Sequence, residues 1–280
     1  MGYLFSSTAT TNDLIHRGAA FLLGALGLFA AVFHLGRPRY AYRAWIGLRT
    51  SWLSREILAF NAFAGLASVY AAVPWGKSIG ASISPTNDAR LGIAVAVSGI
   101  VGIYCSAVLY SVTQRPFWHW AFTIPKFLLT GIILGAPTAL LVALVAAAAS
   151  GNDPQTVFRE VGPPAYRAMI WASASKLLIE ASVFAWLRAP LFTPLKRTAV
   201  LMTGELGLIT FQRFFTGIVG GVALPLYLLQ QATGPTRDGS LFVILLGILA
   251  VVVAGAGELL ERYLFFTAVV APKMPGVPAS

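Results

Sequence analysis

The sequence has little cysteine, histidine or charge, and each shortage excludes a class of chemistry. Its 280 residues include one cysteine, Cys105, and three histidines. An iron–sulfur cluster usually takes four thiolate ligands, so this chain cannot hold one by itself. No two histidines are placed to face each other inside a helix bundle, so we also expect no membrane-bound b-type haem. If electrons pass through this protein, the metal centres must then belong to a partner.

Charged residues make up only 11% of the chain, whereas hydrophobic residues make up 57% and the mean hydropathy is +0.76. Soluble domains are about 25% charged on average. Apolar stretches of about 20 residues, the length that a helix needs to cross a bilayer, recur along the whole sequence. The composition therefore predicts an all-α, polytopic bundle of transmembrane helices.

Hydropathy divides the chain into about seven spans and leaves no polar stretch long enough for a separate soluble domain. We therefore expect residues 1–280 to form a single integral-membrane domain. The predicted spans are approximately 14–35, 52–74, 90–113, 123–149, 166–188, 205–231 and 240–269. Residues 195–204 fit either a loop or the first turns of the sixth helix.

The formal net charge of +10 comes from Lys and Arg in the loops. Basic loops set membrane topology and contact anionic lipid, so this charge indicates a lipid surface rather than nucleic acid. Seven spans place the most basic loops on one side. The positive-inside rule then predicts a multi-pass protein of the inner (cytoplasmic) membrane whose His34 loop faces the cytoplasm. Docking of an acidic partner is the alternative explanation of the same arginines.

The most informative residues lie between the first two spans. They read His34-Leu-Gly-Arg-Pro-Arg-Tyr-Ala-Tyr-Arg43 and Arg49-Thr-Ser-Trp-Leu-Ser-Arg-Glu56. The chain leaves and re-enters one membrane face, so His34 and Glu56 should lie at similar depth. Histidine titrates near neutral pH, and a partly desolvated glutamate can accept or relay a proton. Two proton acceptors suit a quinol, which releases two protons and two electrons. Alternatively, His34 caps a helix end and Glu56 offsets the arginines.

Ionisable residues inside the other spans are expected to have a structural or functional role, because inserting a charged side chain at the bilayer centre costs roughly 2.5–3.5 kcal/mol on insertion scales. Lys176 and Glu180 are one turn apart in the fifth span and can neutralise each other. We interpret them as a structural pair, with a proton path as the alternative. Glu205 and Arg213 are two turns apart in the sixth span, and each can bridge to another span.

Two further clusters are expected at the membrane surface. Glu258, Glu261 and Arg262 lie near the end of the last span, where the long arginine side chain can reach the interface. The segment Arg115-Pro-Phe-Trp-His-Trp120 joins spans three and four. Tryptophan favours the headgroup level, so this segment predicts an aromatic belt, or else a contact with a partner subunit.

Four of these segments resemble one known family. His34-Leu-Gly-Arg-Pro38 and Arg49-Thr-Ser-Trp-Leu-Ser-Arg-Glu-Ile57 resemble the hallmark of the membrane-anchor subunit of dimethyl sulfoxide reductase-type enzymes, the complex iron–sulfur molybdoenzymes. Arg115-Pro-Phe-Trp118 and Gly257-Glu-Leu-Leu-Glu-Arg-Tyr-Leu-Phe-Phe266 are further matches. The similarity extends over nearly the whole chain.

The resemblance implies a haem-free, non-catalytic anchor that binds menaquinone or ubiquinone. It also implies an iron–sulfur subunit as docking partner, which connects the anchor to a molybdopterin catalytic subunit in anaerobic electron transport. The quinone-binding residues that it implies, with Arg39 added because the family often has arginine at the position of Tyr40, are His34, Gly36, Arg39, Tyr40, Tyr42 and Glu56. For docking of the iron–sulfur subunit we expect Arg37, Arg43, Arg49, Trp52 and Arg55.

The family usually has eight spans, with one more before the histidine helix, so we expect seven where eight is usual. Some relatives work outside the membrane as reductases, and others work in the cytoplasm in sulfite-oxidising complexes. The loop charges favour a cytoplasmic partner and thereby a sulfite:quinone oxidoreductase-like function over a dimethyl sulfoxide reductase-like one. A polysulfide reductase-type anchor is the alternative. A secondary transporter is less favoured, because such proteins tend to have inverted repeats, which this sequence lacks.

Overall fold

The structure is a computed structural model that describes residues 2–32, 38–78, 80, 84–234 and 239–270; the side chains of residues 2–12, 32, 38–41, 77, 78 and 240 are outside the description. The described residues are helical, with no β-strand among them, which confirms the predicted all-α class. The α-helices are α1 Gly2–Val32, α2 Trp52–Ser78, α3 Pro85–Ser111, α4 Trp120–Ala149, α5 Pro154–Ala181, α6 Pro194–Thr203, α7 Gly207–Ile218, α8 Leu224–Thr233 and α9 Ser240–Thr267.

Among the described residues, seven helical segments are long and apolar enough to cross a membrane, as predicted. They are Asp13–Ala31, Trp52–Gly76, Pro85–Ser111, Trp120–Ala149, Pro154–Arg188, Gly207–Thr233 and Leu241–Thr267. The fifth continues from α5 into a 3₁₀ segment, Ser182–Arg188, and the sixth joins α7 to α8 through a π-helical segment, Val219–Ala223.

Residues 195–204, which fitted either a loop or part of the sixth span, form the separate short helix α6. Thr193 caps it, because its Oγ1 accepts a hydrogen bond from the Lys196 backbone N–H at 3.2 Å. Pro194 occupies the first turn, where the missing N–H costs nothing. The helix ends at Thr203, because the φ of −100° and ψ of −101° of the next residue, Gly204, are not helical. A capped start and a glycine end thus separate α6 from α7.

Contacts between Cα atoms divide the chain into two compact units. The first unit comprises Met1–Leu109 and Val142–Val157, and the second comprises Tyr110–Leu141 and Phe158–Ser280. The predicted single domain over residues 1–280 stays a prediction.

An arginine joins three helices of the first unit. Arg17 of α1 donates two hydrogen bonds of 2.7 Å to the carboxylate of Asp88 in α3 and one of 3.3 Å to the carbonyl oxygen of Tyr70 in α2. Its Nε also donates to Asp13 at 2.6 Å, and its guanidinium lies 4.1 Å from the centre of the Tyr70 ring. A charge within a span is thereby neutralised by carboxylates, as the low dielectric of the membrane requires.

Two phenylalanines of α2 fill the space between the helices of the first unit. A Cβ at Gly24 of α1 would lie 3.1 Å from the Phe63 ring, and a Cβ at Gly102 of α3 would lie 2.7 Å from the Phe60 ring. Small residues let membrane helices approach each other closely. The glycines on α1 and α3 therefore set the distance of both helices from α2.

The segment Arg115–Trp120 departs from the prediction of an aromatic belt. Trp118 is buried in the second unit, where it stacks on Phe265 with ring centres 5.2 Å apart, and its Nε1 donates a 2.8 Å hydrogen bond to the Phe265 carbonyl oxygen. Trp120, two residues later, is exposed. Trp118 therefore packs against the end of α9, and a belt position for Trp120 stays a prediction.

Candidate functional site

The loop before α2 is described only from Pro38 onward. Pro38–Trp45 form a 3₁₀ helix, and His34, Gly36 and Arg37 lie outside the described residues. Arg39 and Tyr40 belong to the 3₁₀ helix, but their side chains are also outside the description. The structure therefore places two of the six predicted quinone-binding side chains, Tyr42 and Glu56, and the full set stays a prediction.

Arg55 holds the end of this loop against the start of α2. Its Nε donates a 2.9 Å hydrogen bond to the Leu48 carbonyl oxygen, and its Nη2 donates a 3.0 Å bond to that of Arg49. The guanidinium also lies 4.2 Å from the centre of the Trp52 ring, a favourable cation–π distance. Arg55 was predicted to dock a partner, and its guanidinium also makes these contacts within the chain.

The outer surface of the loop is aromatic and basic. Trp45 and Ile46 are 70% and 83% exposed, Tyr42 is also exposed, and Arg43 and Arg49 are exposed beside them. Large apolar side chains grouped on a surface mark contacts with lipid or protein. This loop surface is therefore suited to such a contact, and the predicted docking residues Arg43 and Arg49 have accessible side chains on it.

Glu56 lies one turn into α2 and is half-buried. The Ser106 hydroxyl of α3 donates a hydrogen bond to its Oε1, and the same Oγ lies 3.2 Å from the carbonyl oxygen of Gly102. The Trp52 ring, one turn earlier, meets Tyr104 of α3 edge to face, with ring centres 6.4 Å apart. The arrangement is a carboxyl group between two helices, with one hydroxyl partner and aromatic rings beside it.

Helix periodicity explains why these two groups meet. Phe60 follows Glu56 by one turn on α2, and Ser106 follows Gly102 by one turn on α3, so each pair shares a helix face. The close approach of Phe60 to Gly102 therefore brings Glu56 opposite Ser106. Sequence reasoning missed Ser106. Its signal was a hydroxyl inside an apolar span, which needs a hydrogen-bond partner there.

A second group of ionisable side chains, which we term the ionic cluster, lies in the second unit. It consists of Lys126, Lys176, Glu180, Arg213, Glu258 and Glu261. The Lys176 ammonium is fully buried and donates hydrogen bonds to Glu258 Oε2 and, at 2.6 Å, to Thr130 Oγ1. Thr130 Oγ1 donates to the same Glu258 oxygen at 2.6 Å. Buried charges persist when they are paired and hydrogen-bonded, as here.

The predicted pairing of Lys176 with Glu180 is wrong. Glu180 instead accepts two hydrogen bonds from Arg213 of α7, at 2.8 and 2.7 Å. Arg213 Nη2 also lies 3.2 Å from Glu258 Oε1. A guanidinium matches a carboxylate in two-point geometry, which an ammonium cannot do. Arg213 does bridge to other spans, as expected, whereas Glu205 is exposed.

Glu258 and Glu261, which were expected at the membrane surface, do not lie on the surface of the chain; their depth in the membrane stays a prediction. Both are almost fully buried, since helix α9 turns this face toward α4 and α5. Glu261 Oε1 lies 3.3 Å from Lys126 Nζ, and its Oε2 lies 3.5 Å from Lys176 Nζ. Arg262 is partly exposed, and its guanidinium lies 3.7 Å from the centre of the Phe127 ring.

Comparison with known proteins identifies the family. The profile of the DMSO reductase anchor subunit (DmsC) family matches residues 1–159, more than half of the chain.

The chain belongs to the DMSO reductase anchor subunit family.

Proteins similar to this anchor subunit are named as subunits of two kinds of enzyme. A sulfite dehydrogenase subunit of Allochromatium vinosum is 32% identical over 146 residues, which cover 50% of this chain and 44% of the relative. An anaerobic dimethyl sulfoxide reductase subunit of Haemophilus influenzae is 30% identical over 137 residues, 48% of this chain and 47% of the relative. The anaerobic dimethyl sulfoxide reductase protein YnfH of Escherichia coli is 27% identical over 154 residues, 54% of this chain and 52% of the relative.

The anchor subunit spans about half the length of the curated relatives that it matches. No solved structure matches it. The family profile covers the loop, Glu56 and Ser106, and it also covers Lys126 and Thr130. The remaining members of the ionic cluster lie beyond residue 159. The apolar helices and the family together make the chain a multi-pass membrane anchor.

Proposed function

We propose that this anchor is the quinone-reactive, haem-free membrane subunit of a respiratory molybdoenzyme. It would bind menaquinone or ubiquinone and exchange electrons with a partner iron–sulfur subunit, which leads to a molybdopterin catalytic subunit. The observation that carries the proposal is the half-buried Glu56 carboxyl group at the start of a membrane helix, held by the Ser106 hydroxyl beside an aromatic and basic loop. Because the carboxyl group is only half-buried, it can exchange protons, and the hydrogen bond from Ser106 fixes its orientation.

His34 and Glu56 are the proposed proton-transfer groups. Oxidation of a quinol releases two protons and two electrons; in this direction the two side chains accept the protons, and the electrons pass to the nearest cluster of the partner. In the sulfite-oxidising direction the electrons arrive from that cluster, and the same two side chains donate the two protons that the reduced quinone takes up. The proposed head-group pocket is completed by Gly36, Arg39, Tyr40 and Tyr42. The exposed Tyr42 ring fits this role, since an aromatic ring with a hydroxyl tip offers both a stacking face and a hydrogen bond.

The exposed loop surface is the proposed seat of the iron–sulfur subunit. Interfaces are enriched in aromatic residues and arginine, and the loop presents both. The Arg55 contacts hold the loop in one shape, which lowers the entropy cost of docking. The proposed docking residues are Arg37, Arg43, Arg49, Trp52 and Arg55.

Sulfite oxidation is the proposed reaction of the complex, and dimethyl sulfoxide reduction is the second candidate. The relative from Allochromatium vinosum is a sulfite dehydrogenase subunit, and the basic loops favour a cytoplasmic partner. The relatives from Haemophilus influenzae and Escherichia coli support the second candidate. Both candidates use the same quinone site and place the anchor in the inner membrane.

The test of the quinone site is a pair of substitutions, Glu56→Gln and His34→Ala, measured as quinol-linked electron transfer in membranes that contain the assembled complex. Each should lower turnover about 100-fold, the usual contribution of a positioned acid–base group, without changing the amount of assembled complex. The matched control is Glu205→Gln, because Glu205 is an exposed glutamate in the other unit. Turnover near the wild-type rate in both test variants would refute the assignment.

Cysteine labelling tests the cytoplasmic position of the loop. The native Cys105 is buried and is replaced by alanine, and a cysteine is introduced at the exposed Thr50. A membrane-impermeant maleimide should label Thr50→Cys in inverted membrane vesicles and leave it unlabelled in intact cells. Labelling in intact cells would reverse the orientation and remove the argument for a cytoplasmic sulfite-oxidising partner.

A further inference from the structure

A cavity lies in the second unit beside the ionic cluster. Its wall combines the rings of Phe117, Phe122, Trp186 and Phe265 with Lys126, Glu180 and Glu261 and with aliphatic side chains. An apolar lining with a few convergent polar groups is the usual form of small-molecule sites. The lining of this cavity therefore fits a ligand with an aromatic ring.

Two buried polar groups meet at the wall of this cavity, and both have unused hydrogen-bonding capacity. The Lys126 ammonium is 3% exposed, pairs with Glu261 at 3.3 Å and lies 5.0 and 4.8 Å from the centres of the Phe117 and Phe265 rings. The Glu261 atom that Lys126 pairs with is Oε1, which is buried and accepts no other hydrogen bond among the described residues. A carboxylate oxygen can accept two hydrogen bonds, so Oε1 can still accept one from a ligand or a water molecule.

The charges at the cavity favour a neutral ligand. One ammonium and two carboxylates line it, and Arg213 already neutralises Glu180. A phosphate head group would meet the two carboxylates, and a cation would compete with Lys126 for the same oxygens. A neutral ring with carbonyl or hydroxyl groups fits, because Lys126 can donate to a carbonyl oxygen and Glu261 Oε1 can accept from a hydroxyl.

We propose that this cavity is a second quinone site, in which Lys126 and Glu261 bind the oxygens of a quinone or quinol ring between the aromatic side chains. The inference rests on the proposed function only in naming the ligand, since a quinone-reactive anchor meets quinone in the bilayer. The exposed apolar residues Leu191 and Phe192 precede Leu195, which lines the cavity, and would face lipid, from which such a ligand arrives.

The test counts bound decylubiquinone per protein molecule by equilibrium dialysis of the full-length protein in lipid nanodiscs. Ser182 lines the cavity without belonging to the ionic cluster, so Ser182→Phe should fill the cavity and weaken one of two sites about tenfold or more. Ala185→Phe is the matched control, because it adds the same ring to the same 3₁₀ segment at an exposed position outside the cavity lining. Glu56→Gln should weaken the other site.

The outcomes separate this inference from the proposed function. Loss of one site in each single variant and of both in the double variant supports both. A single wild-type site that Ser182→Phe removes and Glu56→Gln keeps supports the cavity and refutes the Glu56 site. A single site that only Glu56→Gln removes refutes the cavity, as does a co-purified phospholipid that decylubiquinone cannot displace. If Ser182→Phe does not fold, quenching of tryptophan fluorescence by decylubiquinone replaces it. Part of the quenching should then disappear in Trp186→Phe, and unchanged quenching would refute the cavity site.

Discussion

The Glu56 site in the first unit and the ionic cluster in the second unit hold their ionisable groups in opposite ways. Glu56 in the first unit is half-buried, and the structure gives it one hydroxyl partner among the described residues. In the second unit, each buried carboxylate of the ionic cluster has a cationic partner. A carboxyl group that must exchange protons needs access and a weak partner, whereas one that must hold helices together needs a strong one. The comparison therefore identifies Glu56 as the candidate for proton exchange and the ion pairs of the ionic cluster as contacts that hold helices together.

Charge balance sharpens the contrast. The ionic cluster contains the three cations Lys126, Lys176 and Arg213 and three carboxylates, so its members neutralise one another. No cation in the described contacts neutralises Glu56, because Arg55, its neighbour in sequence, is directed to the loop carbonyl groups. Removing a partner should accordingly have different consequences in the two units.

The largest expected effect is on stability in the second unit. Lys176→Met should lower the free energy of unfolding by about 3–5 kcal/mol, because it removes the ammonium group from Glu258 Oε2 and leaves the buried ionic cluster with one negative charge that no cation balances. Unfolding in mixed detergent micelles measures this loss. Glu56→Gln should change the same quantity by less than about 1 kcal/mol, as replacing a singly hydrogen-bonded carboxyl group does. Adding Glu258→Leu to Lys176→Met should restore much of the loss, and equal losses at Lys176 and Glu56 would contradict the comparison.

The next largest effect on stability is expected where the backbone of the π-helical segment lies close to the backbone of α9. A Cβ at Gly220, in the π-helical segment, would lie 2.5 Å from the Ala254 backbone nitrogen of α9. Gly220→Ala should therefore destabilise by about 1–3 kcal/mol, since backbone cannot move aside as a side chain can. Gly255→Ala is the control, because nothing lies within 4 Å of its added Cβ. Similar melting temperatures for the two variants would show that α9 is not held this closely.

A smaller effect, on turnover, is expected from removal of the Ser106 hydroxyl in the first unit. Ser106→Ala should lower quinol-linked turnover about three- to tenfold, because a typical hydrogen bond contributes about 0.5–1.5 kcal/mol. Ser98→Ala on the same helix is the control, since Ser98 donates within its own helix, to the Val95 carbonyl oxygen at 2.9 Å. If both variants turn over equally, Ser106 does not position Glu56.

The smallest effect concerns the loop. Arg55→Lys loses the two-point contact with the Leu48 and Arg49 carbonyl oxygens, which should cost about 1 kcal/mol or less at an exposed site. Hydrogen exchange at the amides of Thr50 and Ser51 should accelerate up to about fivefold. Arg49→Lys changes an exposed side chain and should leave exchange unaltered. Equal exchange in both variants would mean that Arg55 does not hold the loop.

Much of the fold could be predicted from the sequence alone. Length and apolarity determine whether a segment can cross a bilayer, so the seven membrane helices were predictable without knowing any contact. The helix class and the family were predictable for the same kind of reason, because hydropathy and motifs are local properties. Glu56 could likewise be identified as a candidate from its place after a basic and aromatic loop, although its role stays a prediction.

The partners of the polar groups were decided by the tertiary structure. The spacing of Lys176 and Glu180 permits a pair within α5, yet Glu258 and Arg213 on other helices take these two groups. Likewise, Ser106 reaches Glu56 because Gly102 lets Phe60 pack closely, and Trp118 is buried because the end of α9 covers it. The rotation of each helix about its axis selects among several chemically equivalent partners. That rotation follows from the packing of all helices together, so hydropathy determines which segments lie in the membrane and packing determines which charges meet there.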